Sequence, residues 1–198
     1  MVCMLASTPV SFTKRRSLLR VLQLRSTVLP NLTMLKQQEN VLIRLAQPED
    51  AEQILKINFL AITTLSAKDY TQKQIKAFAG DDDISSATKN LHKTILEKKL
   101  VMFVAEVEGK IVGDAYLRDD EIYGIYVHPN YVRQKVGTKL LKTLEKEAIE
   151  KNIKKLMVSA SITAFPFYLA NAYQIEQKPY YIYPNGVQME CIYLKKYL

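Results

Sequence analysis

The sequence predicts an α/β (α+β) fold, a mixed and mostly antiparallel central sheet flanked by helices, and three observations predict it. Between Leu100 and Val127 three apolar runs are joined by turns too short for anything but hairpins. From Ile122 to Lys146 a strand-like run ending in Val127-His128-Pro129 passes through a basic turn into an amphipathic helix. A second strand-to-helix step follows at Leu156 to Tyr168, and the tail carries Asn185-Gly186 between two apolar runs.

Taken in order, Val41 to Leu45 reads as a first short strand. Gln47-Pro48-Glu49-Asp50 then opens a helix with its acids in the first turn, where the helix dipole favours them. A second helical region is expected from Leu60 towards Ala79. Within it Thr71-Gln72-Lys73-Gln74 has capping-box spacing, Ile75 and Phe78 share a face, and Gly80 ends the run. Asp81-Asp82-Asp83 reads as a solvated turn before a helix over Ser86 to Lys98, and it lacks the spacing of a calcium loop. Strands Leu100–Val107, Ile111–Leu117 and Glu121–Val127 form an antiparallel meander through the turns Glu108-Gly109-Lys110 and Arg118-Asp119-Asp120. Tyr180–Tyr183 and Gln188–Leu194 form the terminal hairpin around Pro184-Asn185-Gly186-Val187.

The chain has 198 residues, 48% of them apolar, enough for one substantial core. Its net charge of +8 is unevenly placed: residues 1–40 hold six basic residues and one acid, while 41–198 hold 22 and 19. Two segments are therefore expected, a leader over 1–40 and a folded domain over 41–198. The leader carries Lys14, Arg15, Arg16, Arg20 and Arg25 among Ser and Thr, with no acid before Glu39. That composition looks like an organelle transit peptide; the competing reading is an over-extended reading frame with the true start at Met34. Arg20 and Gln23 interrupt the apolar stretch Leu18–Leu24, so neither a secretory signal nor a membrane span is expected. The domain's mild charge and lack of a binding motif argue against nucleic acid. Cys3 and Cys191 form no disulfide framework, and His92 and His128 lie far apart with no paired Cys ligands, so no metal is expected. The expected location is cytoplasmic, or an organelle if the leader is a transit peptide.

The turn Tyr131-Val132-Arg133-Gln134-Lys135-Val136-Gly137-Thr138 carries the chemistry. A helix start leaves N–H groups unpaired and carries partial positive charge, so it suits a phosphate. Gly137 permits close approach, Arg133 and Lys135 add charge, and Thr138 offers a hydroxyl. After the strand Leu156–Ala160, Ser161-Ile162-Thr163-Ala164-Phe165-Pro166-Phe167-Tyr168 opens the next helix. Together with the start Ile43-Arg44-Leu45-Ala46-Gln47-Pro48-Glu49-Asp50-Ala51, these segments resemble the GNAT superfamily of N-acetyltransferases over about Val41 to Leu198. That family has a strand ending Val-x-Pro before a pyrophosphate loop, and a later helix with a Phe-Tyr pair. Its loop usually has Gln or Arg at the position of Val132 and Gly at that of Lys135. A positive φ at Lys135 would cost about 1 kcal/mol or more, partly offset by the ammonium it offers a pyrophosphate.

The resemblance implies acetyl transfer from acetyl-CoA, the cosubstrate, to a primary amine by direct attack, with a small molecule as the expected acceptor. It places the phosphates on Arg133, Gln134, Lys135, Val136, Gly137 and Thr138. The pantetheine falls to Ile125 and Val127 on a strand splayed from its neighbour, and the thioester oxygen to a backbone N–H near Tyr126 or Val127. Tyr168 is the expected proton donor to the thiolate, and Asn171 an added cofactor contact. An amine with a pKa of about 10.4 must lose a proton, and Glu121 is the expected base. If residues alternate along 121, 123, 125 and 127, Tyr123 shares its face and shapes the acceptor pocket, with His128 touching substrate at the strand end. A homodimer is compatible with this reading. The alternative of another class is a catalytically weak acyl-CoA-binding or regulatory module on the same fold, motivated by Val132 and Lys135.

Overall fold

The computed structural model describes residues 41–80, 84–177, 180–182 and 186–198. The expected leader, the acid run 81–83 and the Pro184-Asn185 half of the terminal turn lie outside these residues. Strand β1 (Leu42–Leu45) leads through a short 3-10 turn, Pro48–Asp50, into helix α1 (Ala51–Leu65). Arg44 Nη1 lies 2.7 Å from Asp50 Oδ2 and Arg44 Nε 2.9 Å from Glu106 Oε2, tying the turn and the next strand to β1. The helix begun there runs on to Leu65, so the helical region expected over Leu60–Ala79 is two helices. The break falls at Ser66–Thr71, and α2 (Gln72–Ala79) starts on the Thr71/Gln74 capping box that the spacing predicts. Gly80 closes α2 at φ 87°, a conformation that excludes most side chains. Helix α3 spans Ile84–Leu96.

Strands β2 (Val101–Val107), β3 (Lys110–Arg118) and β4 (Glu121–Val127) form the expected meander, antiparallel at both joints. Glu108 and Gly109 both take positive φ, as a tight hairpin turn with the right twist requires. Helix α4 (Val136–Glu150) crosses to β5 (Lys155–Ser161), which runs parallel to β4. Helix α5 (Phe165–Ala170) is followed by β6 (Gln174–Gln177), a short exposed strand with no clear pattern in the sequence, then β7 (Tyr180–Ile182) and β8 (Gln188–Tyr197). The strand order is β1-β2-β3-β4-β5-β8-β6, with β7 as an eighth strand on β8.

Alternation along the strands divides the interior between the two faces of the sheet. Phe103, Ala105 and Val107 of β2 pack with Leu140, Leu141 and Leu144 of α4, all three leucines fully buried. Met102 and Val104 pack the other way, on Ile54 and Ile57 of α1. Each such buried aliphatic side chain contributes about 2 kcal/mol, so the α4 row alone is a major tie between helix and sheet. A third, smaller cluster of Ile62, Tyr70, Ile75 and Met189 joins α1, the α1–α2 loop and α2 to β8. Among the described residues no helix is long and apolar enough to cross a membrane.

Candidate active site

The site is a gap in the sheet. β4 and β5 pair at Glu121↔Met157 and Ile122↔Val158, and among the described residues no strand continues the ladder on that side of β4 beyond Ile122. A bulge produces the divergence. The β3 register runs Leu117↔Ile122 and then Tyr116↔Gly124, leaving Tyr123 as the extra residue that bends the strand. His128 N–H donates to Val112 O at 2.9 Å, and N–H groups two residues apart share a side. Tyr126 N–H therefore also faces β3, whereas those of Ile125 and Val127 face the gap. Of the two expected oxyanion donors, Val127 is thus the one with an available N–H.

The bulge also overturns the expected alternation. Ile122, Ile125 and Val127 lie on the α4 side of the sheet, and Tyr126 on the other, against both the α1 cluster and the smaller one. Glu121 and Tyr123 therefore do not share one face with Ile125 and Val127. Tyr123 is 47% exposed, its hydroxyl accepts from Arg118 Nη1 at 3.0 Å, and the guanidinium lies 4.3 Å above its ring. Glu121 starts the strand, about 20 Å of strand rise from Val127, and the structure does not bring it to the turn. Burial, then the neighbouring Asp120, raise its pKa, against a smaller opposing effect of Arg118.

At the open end a 3-10 turn, Pro129–Tyr131, leads into α4. His128 caps it: Nδ1 accepts from Asn130 N–H at 3.2 Å and the ring meets Tyr131 edge-on at 5.8 Å. Gln134 Nε2 donates to Asn130 O at 2.9 Å, holding the loop from the other end. Arg133 and Lys135 both sit at φ 63°. Lys135 is the N-cap of α4 in the left-handed conformation and supplies no side-chain cap, so Val136, Gly137 and Thr138 form a first turn without that protection. Lysine thus occupies the conformation that glycine would take more easily, and the loop is built all the same.

The third segment closes on the second. A Cβ placed on Gly137 would lie 3.5 Å from the Phe167 ring and 3.6 Å from Val127 Cγ2, so the end of β4, the start of α4 and α5 meet at this residue. Tyr168 is 3% exposed and stands edge-on to Phe167 at 5.1 Å and to Tyr173 at 5.4 Å. Burial first, and then the Tyr126 phenol, raise its pKa, so it remains protonated and able to donate. Asn171 Nδ2 donates to Phe167 O at 2.8 Å, closing α5. Among the described residues no cluster of His, Cys, Asp or Glu could hold a metal ion.

Residues 66–180 match the acetyltransferase (GNAT) domain family, more than half of the chain. The uncharacterized N-acetyltransferase YafP of Escherichia coli strain K12 is 34% identical over 135 residues, covering 68% of this chain and 82% of YafP. The chain is a GNAT acetyltransferase. A solved GCN5-related N-acetyltransferase of Rhodopseudomonas palustris matches at 32% identity and a TM-score of 0.72, over 80% of this chain and 96% of that one. The PaiA N-acetyltransferase of Thermoplasma acidophilum, solved with coenzyme A, shares the fold at 19% identity and a TM-score of 0.65, over 80% and 99%.

One group in this GNAT domain has no signal in the sequence. Asp114 of β3 is fully buried, and the Asn58 amide of α1, in the orientation that satisfies it, donates to Asp114 Oδ2 at 2.7 Å and to Ile54 O at 3.2 Å. Burial raises its pKa strongly, against the opposing Asn58 bond. Across the strands it faces Tyr126, whose ring stacks on Tyr116 at 6.2 Å. Gly124 makes room: a Cβ there would fall 2.6 Å from Tyr126 Cε2 and 3.1 Å from the Tyr116 hydroxyl. An Asp between Gly and Ala in a strand reads as an edge or a turn, and only the arrival of Asn58 from a helix over 50 residues away explains it.

Proposed function

We propose that this GNAT enzyme transfers an acetyl group from acetyl-CoA to the primary amine of a small molecule, by direct attack of the neutral amine. The observation that carries the reading is the splayed β4–β5 pair, open beside an uncapped helix start. The gap presents the N–H groups of Ile125 and Val127, and the turn at its mouth presents Arg133, Lys135 and the first-turn N–H groups of Val136, Gly137 and Thr138. A long ligand with a diphosphate at one end and amides along its length fits that donor set. Acetyl-CoA supplies the activated acyl group when bound. Val127 N–H stabilises charge developing on the acyl oxygen, and the Tyr168 hydroxyl donates toward the departing sulfur. Glu121, about 20 Å of strand rise from Val127, stands beyond the reach of a single bridging water, so the amine reaches the site already neutral, its proton having gone to solvent. We place this activity in residues 41–198.

The test is a calorimetric titration of the protein with acetyl-CoA and desulfo-CoA, with Gly137→Glu as control, followed by thiol release across aliphatic and aromatic primary amines. Binding abolished by the substitution, together with turnover of at least one amine, is expected. Tight binding with no turnover across the panel would favour an acyl-CoA-binding or regulatory module instead. No binding by either ligand would remove both readings.

A further inference from the structure

Away from the cofactor gap, a tyrosine stands where a sheet hydrogen bond belongs. The antiparallel pairing of β5 with β8 ends at Ser161↔Cys191, and one more step of the same register would oppose Ile162 to Glu190. The ladder does not take that step directly. Ile162 N–H donates to Tyr70 Oη at 2.8 Å, and Tyr70 Oη donates to Glu190 O at 2.9 Å. The phenol is inserted into the missing rung, holding its two ends on the order of 2 Å further apart than a direct bond would.

Tyr70 is built for this place. It is 7% exposed, its N–H bonds to Ser66 O at 3.2 Å, and its ring packs with Ile62, Ile75 and Met189. The preceding residue makes a parallel tie: Thr163 Oγ1 donates to Asp69 Oδ2 at 2.7 Å. Two consecutive residues of the α1–α2 loop thus hold two consecutive residues of the β5–α5 turn. Ala164, next along, has its N–H on Ser161 O at 3.0 Å, and its own carbonyl accepts from Phe167 N–H at 3.0 Å and Tyr168 N–H at 3.3 Å. From the inserted hydroxyl to the backbone of Tyr168 the chain runs through a turn tied at Ile162, Thr163 and Ala164.

We propose that Tyr70 is a positioning residue for Tyr168: its hydroxyl, wedged between Ile162 and Glu190, sets the turn from which α5 starts and so places the phenol in the gap. This rests on the reading of Tyr168 as the proton donor. Without the hydroxyl, either Ile162 N–H and Glu190 O lose their partner or the strands close to form the direct bond. Both outcomes move the base of α5, and a shift of about 1 Å at a reacting group costs up to roughly a hundredfold in rate.

The experiment is a double-mutant cycle of Tyr70→Phe and Tyr168→Phe, read in kcat with the best amine of the panel, with acetyl-CoA affinity measured alongside. Tyr70→Phe is expected to lower kcat by about tenfold or more while acetyl-CoA affinity stays within about twofold. Tyr168→Phe should then cost far less in that background than in wild type. A wild-type kcat in Tyr70→Phe, or two effects that multiply independently, would overturn the proposal and leave the acetyltransferase reading standing. Thr163→Val removes the parallel tie alone; should Tyr70→Phe not fold, a smaller loss coupled to Tyr168 supports the proposal and an uncoupled one ends it. If wild type binds acetyl-CoA but turns over no amine, the functional reading fails, and amide exchange decides the inference separately. Faster exchange from Ile162 through Tyr168 in Tyr70→Phe sustains the wedge, and unchanged exchange removes it.

Discussion

At the scale of single residues, two groups carry predictions of different kinds. Tyr168 is buried among aromatics with a raised pKa, so it holds its proton. Tyr168→Phe keeps the ring and removes the donor; kcat is expected to fall by about 10²-fold or more, with calorimetric affinity for acetyl-CoA close to wild type. Unchanged turnover would take the proton-donor role from it. Asp114 gives a prediction about stability. Its pKa is raised by burial, so the native state holds its proton to higher pH than the unfolded chain does. Its contribution is therefore fully present below the unfolded carboxyl value, about 3.9, and is lost as pH rises through the raised native value. Asp114→Asn lacks this titration. Its denaturant midpoint should decline less than that of wild type as pH rises above about 4, and parallel curves would show that Asp114 has the same pKa in the native and unfolded states.

At the scale of elements, the basic turn before α4 and the start of α2 show how local rules are obeyed and broken. Thr71 and Gln74 cap α2 reciprocally, an arrangement readable from spacing alone. Thr71→Ala should cost about 1 kcal/mol, measured as a lower urea midpoint at unchanged slope. Lys135 breaks a local rule, since a lysine at φ 63° is strained by about 1 kcal/mol. Lys135→Gly is expected to leave the fold as stable or up to about 1 kcal/mol more so, while weakening acetyl-CoA binding through loss of the ammonium. If affinity improves instead, the lysine is a defect in the loop and not a ligand. The meander, the capping box and the strand-to-helix steps were legible because each depends on residues close in sequence. The helix break at Ser66–Thr71 was not, because Leu60 to Ala79 carries apolar residues throughout and no Gly or Pro marks the stop.

At the scale of the whole molecule, the expected leader and domain lead to a truncation test. Removing residues 1–33 should leave a protein that unfolds cooperatively and binds acetyl-CoA as the full chain does. Loss of the cooperative thermal transition would place those residues in the fold. The sequence by itself determined the fold class, the order of most elements, the basic strand-to-helix turn before α4 and the Phe167-Tyr168 helix, since these follow from hydrophobic period, turn chemistry and short motifs. Tertiary structure alone decided three things. The bulge at Tyr123 switches which side chains face each side of β4, so it moved Glu121 and Tyr123 off the face they were expected to share with Ile125 and Val127. Asn58 and Asp114 became partners only when α1 settled on β3. Tyr70 entered the sheet between Ile162 and Glu190, 92 residues from the first and 120 from the second. The physical reason is common to all three. A period-two pattern or a cap is a property of neighbouring residues, whereas a bulge's effect on register, a buried acid's partner and a hydroxyl's insertion into a ladder depend on which distant segments pack together.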